Sequence, residues 1–215
     1  MLTSSMKTLK KKALILVDIQ NDFLPGGALA VKGGDQILPI ISSLENKDFD
    51  FVVATKDWHP PQHGSFAKIH GKQVGDVIDL FGLEQILWPI HCVQNSPGAD
   101  FGFGWNTGKI DKIIHKGTDP KIDSYSTFFD NGHTASTGLE EYLRKNGVET
   151  VYLAGLATDY CVKYSALDAL KLGFEVYVIE DACKAVNLRP GEHERAIHEM
   201  HEAGAHIIRA HEINS

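Results

Sequence analysis

Val151-Tyr152-Leu153-Ala154 runs directly into Gly155-Leu156-Ala157-Thr158-Asp159-Tyr160-Cys161-Val162, and an amphipathic stretch continues to Leu172. A short apolar run that turns sharply into a helical pattern is half of a βα unit. The run is apolar at successive positions, as expected for a strand covered on both faces. From Tyr160 to Leu172, the residues Val162, Ala166, Ala169 and Leu170 share one helical face, and Gly173 stops the pattern. Cys161 therefore falls in the first turn of a helix, just beyond a strand. A lone cysteine in an α/β chain is most often buried and inert. At a helix N-terminus, however, unpaired N–H groups and the dipole favour a thiolate and make it reactive.

The same pattern recurs along the chain. Ala13–Val17, Phe51–Thr55, Ile110–His115, Val176–Ile179 and Ala205–Ile208 read as five further buried strands. Between them, Thr137 to Lys145 reads as a helix with Thr137 and Glu140 in capping-box spacing and Gly147 past its end. Pro190 to Ala203 reads as another, with proline in the first turn, Ile197 and Met200 on the buried face and Gly204 as its stop. Alternating βα units predict an α/β fold: three layers, α/β/α, around a central, mainly parallel six-stranded sheet. Without repeat, linker or low-complexity tract, residues 1–215 read as one domain, with residues 1–11 as a short disordered extension.

In an open parallel sheet, ligands bind beyond the carboxyl ends of the strands. Asp18, Asp57, Lys116 and Cys161 each follow or end one of the predicted strands. Asp18 alone reads equally well as the cap of a turn; beside a thiol it can act as general base. Lys116 alone is a solvated strand-end lysine; near Cys161 and Asp18 it is a cation that lowers the thiol pKa and holds the acid ionised. Those influences, opposed by an ionised Asp18, predict that Asp18 and Cys161 share one proton near neutral pH. Asp57, His59, His63 and His91 form an O/N set suited to Zn²⁺, Fe²⁺ or Mn²⁺. Two irregular stretches, Trp58–Gly75 and Pro89–Lys109, read as functional loops.

Composition sets the outer bounds. In a chain of 215 residues, 43% hydrophobic and 23% charged residues are ordinary for a soluble globular protein. A formal net charge of −7 argues against nucleic acid or an anionic membrane as the main partner. Three cysteines are too few for a disulfide framework. The lysine-rich start is followed by only Ala13–Val17 before Asp18 interrupts, and no run approaches the roughly 18 apolar residues of a membrane span. The expected compartment is therefore the cytoplasm. Gly102-Phe103-Gly104 lacks the flanking strand and third glycine of a dinucleotide site, and P-loop, CxxC and G-x-S-x-G patterns are absent.

These residues carry a resemblance. VDIQNDFLPGGALAV, ATKDWHPPQHGSFA, LWPIHCVQNSPGADF, HKGTDPKIDSYSTFFDN and LAGLATDYCVKYSALDAL follow one another between Lys12 and Ile208. In that order they resemble the nicotinamidase branch of the isochorismatase-like cysteine hydrolases. The resemblance implies hydrolysis of nicotinamide, and of pyrazinamide, to the acid and ammonia, in NAD salvage. It places a catalytic triad on Asp18, Lys116 and Cys161, and one divalent metal ion, Zn²⁺ foremost, on Asp57, His59 and His91. His63 or Ser65 would be a fourth ligand, directly or through water. A cis peptide between Leu156 and Ala157 would turn the N–H groups of Ala157 and Cys161 toward one point as an oxyanion hole. Phe23, Trp88 and Tyr125 would wall a flat pyridine ring. Homo-oligomers occur among such proteins, and the sequence leaves that state open. Two other readings use the same residues: an amidase for carbamoyl or ureido substrates, and a metal- or thiol-sensing protein without turnover. An isochorismatase proper would typically lack the cysteine.

Overall fold

The protein is described here by a computed structural model covering residues 10–213. Six parallel strands form the central sheet: β1 (Lys11–Val17), β2 (Phe51–Asp57), β5 (Lys112–Lys116), β6 (Val148–Leu156), β7 (Glu175–Lys184) and β8 (His206–Ile208). Their order across the sheet is β5-β2-β1-β6-β7-β8, and every neighbouring pair is parallel. The chain thus winds outward in one direction from β1 through β2 to β5, then returns to the other side of β1 for β6 to β8. The strand order reverses between β1 and β6, where adjacent connections leave for opposite sides and open a crevice. Asp18 follows β1 and Cys161 follows β6, so both lie at this switch point.

The two faces of the sheet bury separate clusters. On one, Ile15, Val53, Val151 and Val178 pack with α2 (Leu139–Lys145), α3 (Lys163–Lys171) and α4 (Glu192–Glu202). On the other, Leu14, Leu16, Val52 and Ala154 pack with Ile41 and Leu44 of α1 (Leu38–Leu44). This is the predicted three-layer arrangement: successive strand residues point to opposite faces, so strands covered twice must be apolar at every position.

Several boundaries differ from the sequence reading. The strand expected over Ile110–His115 runs from Lys112 to Lys116; Asp111, just before it, is tied to Val52 twice, its N–H donating to the Val52 carbonyl at 2.8 Å and its carboxylate accepting the Val52 N–H at 2.7 Å. Thr137 does not cap α2. Gly138 is the N-cap at φ 85°, while the Thr137 hydroxyl donates to the Thr127 carbonyl and accepts the Leu139 N–H. Pro190 likewise lies outside α4, which starts after Gly191. The segment after β6 opens with a π turn, Thr158–Val162, before α3. An antiparallel hairpin, β3 (Val77–Leu80) and β4 (Leu83–Ile86), was not expected; Val77 is 45% exposed, so its apolar residues give no buried-strand signature. Of the extension expected over residues 1–11, residues 1–9 lie outside the described part, and Lys11 already belongs to β1. No helix among the described residues is long and apolar enough to cross a membrane.

Candidate active site

Strand register builds the site. β2 and β5 pair with Asp57 opposite Lys116, and β1 and β6 pair with Val17 opposite Gly155. One residue past that pairing, Asp18 takes φ 49° and turns its side chain under the crevice. Gly155 permits the close approach: a Cβ there would lie 2.1 Å from the Val17 carbonyl oxygen. The peptide between Leu156 and Ala157 is cis, as the resemblance implied.

Lys116 is the centre of the cluster, its side chain fully buried. Its Nζ lies 2.9 Å from Asp18 Oδ2, donates to the Ser124 carbonyl at 2.9 Å and to Cys161 Sγ at 3.3 Å, and also pairs with Asp57 Oδ1. The Thr55 hydroxyl donates to Asp18 Oδ1 at 2.6 Å. Gln20 clamps the backbone of Asp57, donating to its carbonyl and accepting its N–H, both at 2.8 Å. Thr55, Gln20 and Ser124 were not among the residues singled out from sequence. Gln20 had the visible signal of lying two residues past Asp18, whereas the other two are brought in by pairing and loop packing.

Ionisation follows from this geometry. Burial pulls the Lys116 pKa down, but the Asp18 and Asp57 carboxylates outweigh it and hold the ammonium well above its ordinary range. Burial raises Asp18, and Lys116 offsets only part of that. Burial also raises Asp57, but Lys116 and His59 overcome it and keep that carboxyl well below its usual range. Burial pushes the Cys161 thiol well up, Lys116 opposes, and Asp18 and Asp57 add to the rise. The sequence reading set the helix N-terminus and Lys116 against an ionised Asp18 and expected Asp18 and Cys161 to share one proton near neutral pH. In the structure burial is the largest influence on both groups and raises both, so the thiol favours its protonated form and Asp18 is a carboxyl with raised proton affinity beside it.

Asp57 joins this cluster to a second one. Its Oδ2 lies 3.6 Å from Nε2 of His59 and 3.6 Å from Nε2 of His91. His59 Nδ1 donates to the Gly117 carbonyl at 2.9 Å, and His91 Nδ1 donates to the Pro89 carbonyl at 2.8 Å. Each carbonyl accepts the Nδ1 proton and turns Nε2 toward Asp57, the arrangement that orients metal-binding histidines. The buried Nε2 of His59 has no hydrogen-bond partner, and Asp57, His59 and His91 offer donor atoms within 4.8 Å of one another. These three residues therefore fit a divalent cation. His63 differs: its Nδ1 lies 2.7 Å from Ser65 Oγ and accepts the Ser65 N–H at 3.2 Å. With Nδ1 as acceptor, the proton resides on Nε2. Burial first, then the nearby His59, pushes its pKa down to about 4, so the ring is neutral.

Above the thiol lies a narrow cleft whose walls include Phe23, Trp88, Tyr125, Ala157 and Cys161. The Trp88 indole N–H donates to the Tyr125 hydroxyl at 3.1 Å, and Tyr160 meets the Trp88 ring edge-to-face at 4.9 Å. All three aromatic residues expected to wall a ring thus face the cleft. Leu29, Tyr160, Val186 and Asp123 line it as well and were not foreseen.

A cysteine, an acid and a buried lysine at the switch point of a parallel sheet, beside an Asp-His-His cluster, delimit a narrow class. The chain belongs to the isochorismatase family, whose domain profile matches residues 12–212. Within it, the sequence is similar to the nicotinamidase of Escherichia coli strain K12, 47% identical over 197 residues covering 90% of this chain and 92% of that protein. The fold is similar to that of a nicotinamidase/pyrazinamidase from Acinetobacter baumanii, with TM-score 0.92 and 45% identity over 97% of this chain and 100% of that one. It is also similar to that of a Pyrococcus horikoshii pyrazinamidase in complex with zinc, with TM-score 0.75 and 42% identity over 93% of this chain and 99% of that one.

Proposed function

We propose that this protein hydrolyses nicotinamide to nicotinate and ammonia, and pyrazinamide likewise, through a cysteine thioester, and so serves pyridine-nucleotide salvage. The observation that carries this reading is the contact of one buried ammonium, Lys116 Nζ, with both Asp18 Oδ2 at 2.9 Å and Cys161 Sγ at 3.3 Å at the floor of an aromatic cleft. The nicotinamidase relatives supply the substrate class.

Asp18 takes the thiol proton as Cys161 Sγ bonds to the carboxamide carbon, because the anion that burial disfavours on sulfur is consumed as it forms. The N–H groups of Ala157 and Cys161 receive the oxyanion. Collapse breaks the C–N bond, and Asp18 returns the proton to the departing nitrogen, which leaves as ammonia. Asp18 then deprotonates a water that attacks the thioester. The C–S bond breaks, the proton goes back to sulfur, and nicotinate departs. Throughout, the Lys116 ammonium offsets the neighbouring Asp18 and Asp57 charges and tethers the thiol.

Asp57, His59 and His91 would hold a divalent ion, with zinc the first choice for an Asp-His-His set. Such an ion would supply Lewis acidity beside the cleft and help orient a ring-nitrogen substrate. His63 contributes an N–H donor at the edge of that cluster, oriented by Ser65. Ammonia release from nicotinamide by the purified protein tests the reading. Steady release above the uncatalysed rate is expected, and its absence in the zinc-supplemented protein would overturn the assignment.

A further inference from the structure

Two residues before the nucleophile, Asp159 is 4% exposed, and it has no place in the chemistry above. Its carboxylate oxygens are each engaged by a backbone N–H from the connection between β7 and α4: Val186 N–H to Oδ1 at 3.0 Å and Asn187 N–H to Oδ2 at 2.7 Å. Val186 lines the cleft together with Ala157 and Cys161. Asn187 is left-handed, at φ 52°, and its side-chain oxygen accepts the N–H of His193 in the first turn of α4 at 3.0 Å. Next to it, Leu188 is 37% exposed and faces the base of the hairpin, where a Cβ on Gly75 would lie 3.7 Å from its Cδ1. One part of the cleft wall is thus a loop with no strand or helix of its own at Val186. It is fixed to the nucleophile's turn by one buried carboxylate that receives two N–H donors.

We propose that Asp159 is a positioning residue for substrate discrimination: by pinning Val186 and Asn187 to the Cys161 turn, it sets the width of the cleft and excludes pyridine carboxamides bearing a ring substituent on that side. This deepens, and rests on, the reading of the cleft as a pyridine-carboxamide site. A carboxylate is suited to the task because both oxygens are acceptors. In Asp159→Asn an NH₂ donor faces an N–H donor, one bond is lost, and the loop must move away.

The test is a double-mutant cycle of Asp159→Asn and Val186→Ala. It is read as kcat/KM for nicotinamide and for the four ring-methylated nicotinamides, alongside alkylation of Cys161 by iodoacetamide and by the bulkier N-phenylmaleimide. A single methyl group excluded by a pocket is worth about tenfold or more in discrimination. Each single variant is therefore expected to raise the methylated-to-unmethylated ratio for at least one isomer by about that factor, mainly through KM. The double variant should rise no further, since both changes act on one wall. The N-phenylmaleimide-to-iodoacetamide ratio should rise in parallel. If Asp159→Asn lowers all five amides in one proportion with the alkylation ratio unchanged, or multiplies independently with Val186→Ala, the residue is merely structural and the inference fails. Should Asp159→Asn not fold, Asp159→Glu, which shifts the carboxylate by a methylene, replaces it in the same cycle. Wild-type protein inactive on nicotinamide would overturn the functional reading, whereas the alkylation ratios judge Asp159 without turnover.

Discussion

Lys116 shows what one side chain does when buried among anions. It balances Asp18 and Asp57 and contacts Cys161 Sγ. Removing one partner of a buried ionic cluster costs about 3–5 kcal/mol because the remaining charge is stranded. Lys116→Met should therefore lose activity and also lower the unfolding free energy by roughly that amount, measured by urea titration. A solvated strand-end lysine would show neither effect. Cys161→Ala should release no ammonia above background while unfolding close to wild type. The pH dependence follows from the two acids. Asp18 has its folded pKa raised, so its contribution to stability is present below its unfolded pKa and is lost as pH rises through the folded value. Asp57 is the opposite case: its folded pKa is depressed, so its contribution is present above the unfolded pKa and is lost as pH falls through the folded value. The proposed mechanism needs Asp18 ionised, so the acid limb of kcat/KM should have its midpoint above the ordinary aspartate value of about 3.9. Thr55→Val removes a hydrogen bond that lowers the Asp18 pKa, and should move that limb further up. An unmoved limb would show that another group sets it.

At the scale of elements, the strand ends and the loops after them do different work. Strands β1, β2, β5 and β6 deliver Asp18, Asp57, Lys116 and Cys161 to one edge, whereas loop carbonyls orient the histidine rings. Gly117 presses directly on one of these rings: at φ 63°, a Cβ there would lie 2.5 Å from His59 Cε1. Gly117→Ala should displace the imidazole and weaken zinc binding by about 10–100-fold, as loss of an orienting partner does. Calorimetric titration of zinc into the metal-free protein measures it. In the same titration His59→Ala and His91→Ala should weaken binding more than His63→Ala, because only the first two have Nε2 turned toward Asp57 by a backbone carbonyl. Equal losses for all three would make His63 a full ligand.

Across the whole molecule, the sheet core and the cation cluster are separable. The two apolar clusters pack strands against α1 to α4, while Asp57, His59 and His91 sit at the strands' carboxyl edge. Chelation should abolish turnover of nicotinamide while far-UV circular dichroism and cooperative unfolding persist. If the chelated protein instead melts with no separate loss of activity, the ion's role is structural. The alternation of apolar runs with helical patterns fixed the α/β class, and it made Asp18, Asp57, Lys116 and Cys161 legible, because a parallel sheet gathers all its strand ends at one edge. The local patterns also yielded the histidines of the DWH and PIH segments, and the family resemblance supplied the aromatic residues of the cleft; these identities survive any small error in element boundaries. What the chain read in one dimension did not reveal depends on long-range packing. The exposed hairpin carries no buried period. The Thr137 hydroxyl is drawn off by the carbonyl of Thr127, ten residues away. The pairing of Thr55 with Asp18 follows from strand register, and the position of Val186 in the wall follows from the carboxylate of Asp159. The ionisation of Cys161 is the clearest case. Residue types near a helix start favour a thiolate, but the cost of burying that anion depends on everything packed around it, and only the tertiary structure sets that cost.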